Sequence, residues 1–159
     1  MNRAEHIAAL RAASAAAAGG ERLQLAEWSD AAWYTLLDYT RSRPFRASEV
    51  VIQRDGTDRV LHFVVAGSLE VGITQVDGVS ISSLAKVGIG SVIGEQSFFD
   101  GQPRSANVWA VSDGELLCLT EEMFHKLAEA QPKLTRDLLF ALGRILSLRL
   151  RNTSMRVRR

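Results

Sequence analysis

The chain has 159 residues, short enough for one domain and long enough to bury a core. Its 19 Lys and Arg against 18 Asp and Glu leave a net charge of +1, so no global field advertises nucleic acid. No apolar run reaches the roughly 18 residues of a membrane span, no secretory pattern opens the chain, and the single Cys118 excludes an intramolecular disulfide and fits a reducing cytosol.

Residues 1 to about 24 form an alanine-rich arm with a break at Gly19-Gly20. Alanine favours helix, which predicts a helix over residues 2–18, with a weakly ordered arm as the alternative. Ser29 is a good N-cap for a second helix over residues 30–40, with Trp33, Leu36, Leu37 and Tyr39 on its apolar side. Trp28 precedes the cap and is placed to staple the entry. Pro44 then ends helical options.

From residue 49 to 120 the pattern changes to short β-branched runs. Strands are expected at 50–52, 60–65, 69–74, 79–87, 92–93, 106–111 and 115–120. Asp55-Gly56, Asp77-Gly78 and Asp113-Gly114 punctuate them and read as hairpin signals. Gly67, Gly72, Gly88 and Gly90 fit bends. Many short strands at this spacing imply a sandwich or barrel. Cys118 lies inside the run 116–119 and is expected to be a buried strand residue. His6, His62 and His125 stand apart from other candidate ligands, so no metal site is expected.

Thr120 caps a short helix whose first turn carries Glu121 and Glu122, where the helix dipole favours them. It is expected to end near Gln131. Pro132 suits the first position of a last helix reaching about Met155. That helix carries two apolar stripes. One is Leu138, Ala141, Ile145, Leu148, Asn152 and Met155; the other is Leu139, Leu142, Leu146 and Leu150. A helix on one core needs one stripe. Two stripes predict that one packs on the strands and the other on a second copy, with Asn152 fixing register. A broad buried face in a monomer is the alternative.

The chemistry concentrates in residues 94–106. Gly94-Glu95 is followed ten residues later by Arg104-Ser105-Ala106, with Pro103 before the arginine. The planar fork of Arg104 matches phosphate oxygens. The Glu95 carboxylate accepts from a hydroxyl, and Gly94 lets backbone N–H groups approach an anion. A ligand with a phosphate beside a sugar hydroxyl satisfies both groups. Taken alone, Arg104 reads rather as half of a structural ion pair with a surface acid. Phe98 and Phe99 are expected under the segment as core.

This order of elements, together with Gly94-Glu95 and Arg104-Ser105-Ala106 at their spacing and Gly67-Ser68-Leu69-Glu70-Val71 upstream, resembles the cyclic nucleotide-binding domain. Bacterial catabolite activators and the regulatory subunits of cyclic-AMP-dependent kinases carry that domain. The resemblance covers roughly residues 25–152. It implies a mainly β, α+β fold: a double-stranded β-helix or jelly-roll with N-terminal helices, a short cassette helix and C-terminal helices. It divides the chain into an arm over 1–24 and a cyclic nucleotide-binding domain over 25–159. It implies that Glu95 accepts the ribose 2′-hydroxyl and Arg104 pairs with the cyclic phosphate. Ser105 and backbone N–H groups around Gly94, Ser105 and Ala106 would complete the cradle.

The departures are Ile93, where the family favours phenylalanine, and Ser48, where it favours glycine. At the base end, counting from Pro132, the matching positions hold Arg149 and Leu150, with Thr153 and Ser154 one helical turn later. Arg149 then stacks on or bonds to a purine, or is simply solvated. The chain stops at Arg159, without the helix-turn-helix of the activators, so sequence-specific DNA binding is not expected. The basic tail 156–159 reads as solvated. No metal cluster, nucleophile–base pair or P-loop accompanies Glu95 and Arg104, so no catalysis is expected. The expected function is a cytoplasmic cyclic-nucleotide receptor, cyclic AMP ahead of cyclic GMP, without a cofactor. It would signal through its last helix to its own dimer or an effector protein. A scaffold on the same fold that answers to no nucleotide is the alternative.

Overall fold

A computed structural model of the chain describes residues 1–16, 20–74 and 81–157, with backbone alone at 74, 81, 82 and 154–157. The Asp77-Gly78 turn, Gly19 and the end of the basic tail lie outside the described residues.

The elements run in the order α1 (Arg3–Ala16), α2 (Asp30–Leu37), β1 (Arg41–Phe45), β2 (Val50–Ile52), β3 (Val60–Ala66), β4 (Leu69–Thr74), β5 (Ile81–Val87) and β6 (Val92–Ile93). Then come α3 (Glu95–Asp100), β7 (Asn107–Ala110), β8 (Gly114–Thr120), α4 (Glu121–Ala130) and α5 (Pro132–Val157). The strands form two antiparallel four-stranded sheets, ordered β1-β8-β3-β6 and β2-β7-β4-β5. This is the jelly-roll that the strand pattern and the resemblance imply.

The inner strands of the first sheet, β3 and β8, are buried on both faces, and strand alternation divides their side chains between two cores. Leu61, Phe63, Val65, Leu117 and Leu119 face the helices, where they meet Leu10, Trp33, Leu36, Leu138, Leu142 and Ile145. Val64, Leu116 and Phe45 face the second sheet and meet Ile52, Leu69 and Val108. The arm joins the first core through Ile7, Leu10 and Leu23.

The local signals at the helix starts hold. Ser29 Oγ accepts from Ala32 N at 3.2 Å, and Trp28 packs edge-on against Trp33, ring centroids 5.0 Å apart, as a hydrophobic staple. Thr120 Oγ1 accepts from Met123 N at 3.2 Å. The second helix closes earlier than residue 40. Tyr39 N and Thr40 N turn back to Leu36 O and Leu37 O in a tighter last turn.

Three readings need correction. First, β1 has no counterpart among the expected strands. Arg41, Arg43 and Pro44 offered no apolar alternation. The strand nevertheless pairs with β8 along its whole length, at a sheet edge, where proline and charge are tolerated. Second, Asp55-Gly56 and Asp113-Gly114 do not close hairpins. Each leads from one sheet to the other, β2 to β3 and β7 to β8. Third, Leu142, placed on the second stripe of α5, is in the core with Leu138, Ala141 and Ile145. Those four follow the i, i+3, i+4, i+7 spacing of a single buried face. Leu139, Phe140 and Leu150 are left exposed, Phe140 at 78%.

Ser48 stands at the β1–β2 turn with φ 72, in the left-handed region. A Cβ is disfavoured there by about 1–2 kcal/mol, partly offset in glycine by its extra freedom when unfolded. Ser48→Gly is therefore expected to stabilise the fold by about 1 kcal/mol and to raise Tm by about 2–4 °C in calorimetric melting.

Candidate functional site

A cavity of about 680 Å³ opens between the second sheet, the α3 segment and the far half of α5. Its chemistry is built around Gly94. That residue has φ 79, and a Cβ there would lie 2.6 Å from Arg104 Nη1 and 2.8 Å from Val60 O. Only glycine fits both the backbone and the space. The arginine packs against the bare backbone, and Arg104 Nη1 donates to Gly94 O at 2.8 Å.

Arg104 itself is buried at 3% exposure. Its Nη2 donates to Val60 O at 2.8 Å and to Asp58 Oδ2 at 2.7 Å, and its Nε donates to Asp58 Oδ1 at 3.3 Å. These bonds and that to Gly94 O engage all but one of the guanidinium N–H groups. The backbone is clamped as well. Arg104 N donates to Gly56 O at 2.8 Å and Asp55 N donates to Arg104 O at 2.9 Å. The Arg104 hydrogen bond holds the Asp58 carboxyl below its ordinary range, against a partial opposing effect of burial. Behind the arginine, His62 is pushed down to about 4 by burial, then by the charges of Arg104 and Arg43. Its Nδ1 lies 3.1 Å from Cys118 Sγ.

Glu95 opens α3 and is buried at 8%. Its Oε1 is 2.6 Å from Arg149 Nη1. Arg149 also donates through Nη2 to Val92 O at 2.8 Å and through Nε to Glu21 Oε2 at 3.4 Å. Ser105 Oγ donates to Gln96 Oε1 at 2.9 Å, which ties the two ends of the segment together. The arrangement sets a buried guanidinium, the bare backbone of Gly94 and a buried carboxylate along one cavity.

A family model, the cyclic nucleotide-binding domain, matches residues 42–131. The chain belongs to the cyclic nucleotide-binding domain family. The cyclic AMP receptor protein of Thermus thermophilus is 30% identical over 108 residues, 68% of this chain and 50% of that protein. The Pycsar effector protein BcPycTIR of Burkholderia cepacia is 28% identical over 102 residues, 64% of this chain and 32% of that protein. The chain thus spans half or less of the curated relatives it matches. A cyclic nucleotide-binding domain structure from Methylobacillus flagellatus superposes with a TM-score of 0.79 at 22% identity, covering 98% of this chain and 82% of that one.

Within this cyclic nucleotide-binding domain, the residues singled out from the sequence come together. Gly94, Glu95, Arg104, Ser105, Ala106 and Arg149 all line the one cavity. Leu150 does not; it is 69% exposed. Thr153 lines the cavity instead, because i and i+4 share a helix face with Arg149. Asn152, expected to fix register against a second copy, donates to Glu21 Oε1. Phe98 is buried against Phe124, but Phe99 is half-exposed at the surface, and neither lines the cavity. Asp58 and Glu21 were missed. The one signal for Asp58 was the general expectation of an acid partner for Arg104. His6 sits against Glu115 and His125 against Glu121. No group of three or more metal-ligating side chains occurs among the described residues.

Gly94→Ala is expected to lower Tm by about 4–8 °C, since it combines left-handed strain of about 1–2 kcal/mol with displacement of Arg104. A calorimetric melt measures it. The pH dependence has a definite sign at His62. Its folded pKa of about 4 lies below the ordinary 6.5, so the unfolded chain takes up the proton first. Stability falls as pH drops from 6.5 towards 4 and this contribution levels off below. His62→Gln is expected to flatten that slope in melts across the same window.

Proposed function

We propose that this chain is a non-catalytic receptor for a cyclic nucleotide, cyclic AMP ahead of cyclic GMP. The observation that carries it is the convergence of Arg104, Glu95, Ser105 and Arg149 on one cavity beside the bare backbone of Gly94. The ligand's phosphate takes the free N–H of Arg104, the Ser105 hydroxyl in exchange for its bond to Gln96, and the backbone N–H groups of the segment. Its ribose hydroxyl donates to Glu95, which Arg149 orients. The base lies towards Asn152 and Thr153 of α5. The cyclic AMP receptor among the relatives supports the choice of base. The free thiol of Cys118 suits a cytosolic setting.

Because α5 lines the cavity and is also the last element of the core, a ligand that prefers one placement of it shifts that placement. The exposed Leu139, Phe140 and Leu150 supply a face for a second copy or an effector protein. One observation favours a second reading, a scaffold that answers to no nucleotide: Arg104 and Glu95 both already have protein partners.

Titration calorimetry and melting with cyclic AMP, cyclic GMP, cyclic di-GMP and their linear counterparts separate the two. A ligand at a hundredfold excess over its Kd is expected to add about 2.7 kcal/mol. Glu95→Gln and Arg104→Lys are expected to lose most of that gain. Arg104→Leu would leave Asp58 and two carbonyls without their donor and is expected to lower Tm before any ligand is added. A wild-type protein that responds to none of the nucleotides overturns the receptor reading. Release of linear monophosphate from cyclic AMP overturns its non-catalytic part.

A further inference from the structure

The two halves of α5 are held by different forces. Leu138, Ala141, Leu142 and Ile145 are buried in the core. Beyond Ile145, Leu146 and Leu148 are half-buried and Leu150 is exposed. The ties of that far half are polar, and they run largely to the segment between α1 and α2. Arg149 Nε donates to Glu21 Oε2 at 3.4 Å, and Asn152 Nδ2 donates to Glu21 Oε1. Positions 149 and 152 share one helix face, so one carboxylate receives both. One turn earlier, Arg144 Nη1 donates to Gly20 O at 2.9 Å. The mount for Glu21 is itself fixed. Leu23 is buried and its N donates to Gly90 O at 2.8 Å, while Ser14 Oγ donates to Leu23 O at 2.7 Å and accepts from Leu25 N at 2.9 Å. Glu21, Arg149, Asn152 and Thr153 all line the cavity.

We propose that Glu21 is a positioning residue of the ligand site, holding the cavity-lining face of α5 in place from the N-terminal arm. This rests on the cyclic-nucleotide reading of the cavity. Arg149 bridges two carboxylates, Glu21 on the arm and Glu95 on the cassette. With Glu21 neutralised, Arg149 keeps one of them and Asn152 loses its charged acceptor. The far half of α5 then has fewer ties, and Thr153 leaves the wall more often. By reciprocity, a ligand seated against that wall tightens the arm. The arm thus reports occupancy as α5 does.

The test joins hydrogen exchange with calorimetry on wild type, Glu21→Ala, Glu21→Gln and Glu21→Asp. In the ligand-free protein, Glu21→Ala and Glu21→Gln are expected to speed exchange over residues 146–152 and leave 136–145 unchanged. Their affinity for cyclic AMP is expected to fall about threefold to tenfold, the scale of a half-exposed ion pair with one amide bond. Glu21→Asp is expected to restore part of it, and cyclic AMP to slow wild-type exchange over residues 20–28. Unchanged exchange over 146–152 in Glu21→Ala overturns the proposal, as does unchanged affinity in a variant whose exchange has risen. If wild type binds neither cyclic AMP nor cyclic GMP, the receptor reading fails and the positioning role fails with it, whereas wild-type binding with unaltered variants sinks Glu21 alone.

Discussion

Arg104 carries a full charge at 3% exposure, where water cannot solvate it, and the cassette is arranged around that fact. A buried charge needs a counter-charge and acceptors with good geometry. Asp58 supplies the first, and the carbonyls of Val60 and Gly94 supply the rest. Two separate stretches of chain must therefore reach one guanidinium: the end of the β2–β3 connection running into β3, and the glycine before α3. The main-chain bonds of Asp55 and Gly56 to Arg104 fix the same junction a second time. What faces the cavity is the remainder of a site whose larger part is structural.

The structural role of Arg104 and the binding role proposed for it are thus not rivals. One side chain can carry both an ion pair with an acid and an anion, because a guanidinium has more donors than Asp58 can accept. Neutral His62 behind it adds no competing positive charge near neutral pH.

What the sequence made legible were features carried by local pattern. The short apolar runs of β3 and β8, the caps at Ser29 and Thr120, and the spacing of Gly94-Glu95 to Arg104 each lie within about ten residues. Partnerships across long separations were not legible. Asp58 meets Arg104 from 46 positions away and Glu21 meets Arg149 from 128. A lone acid in a loop has no period to betray it. The strand β1 was hidden for a related reason. Its charges and Pro44 are acceptable only because β8 covers one edge of it and leaves the other open, which is a property of the sheet. The Asp-Gly turns show the converse. The dipeptide favours a tight turn, but whether the next strand pairs with the last or crosses to the other sheet is decided by where apolar faces find cover. On α5, two stripes counted by spacing missed that one buried arc takes residues from both.

The helix α5 behaves as a cantilever. Its root at Leu138, Ala141, Leu142 and Ile145 is clamped by apolar packing, and its outer part is guyed by Arg149 and Asn152. Mobile ions weaken partly exposed ion pairs and leave apolar contacts largely untouched. Ionic strength therefore acts on one end of a single continuous rod, and the stiffness of the cavity's outer wall follows the salt content of the surroundings while the root does not.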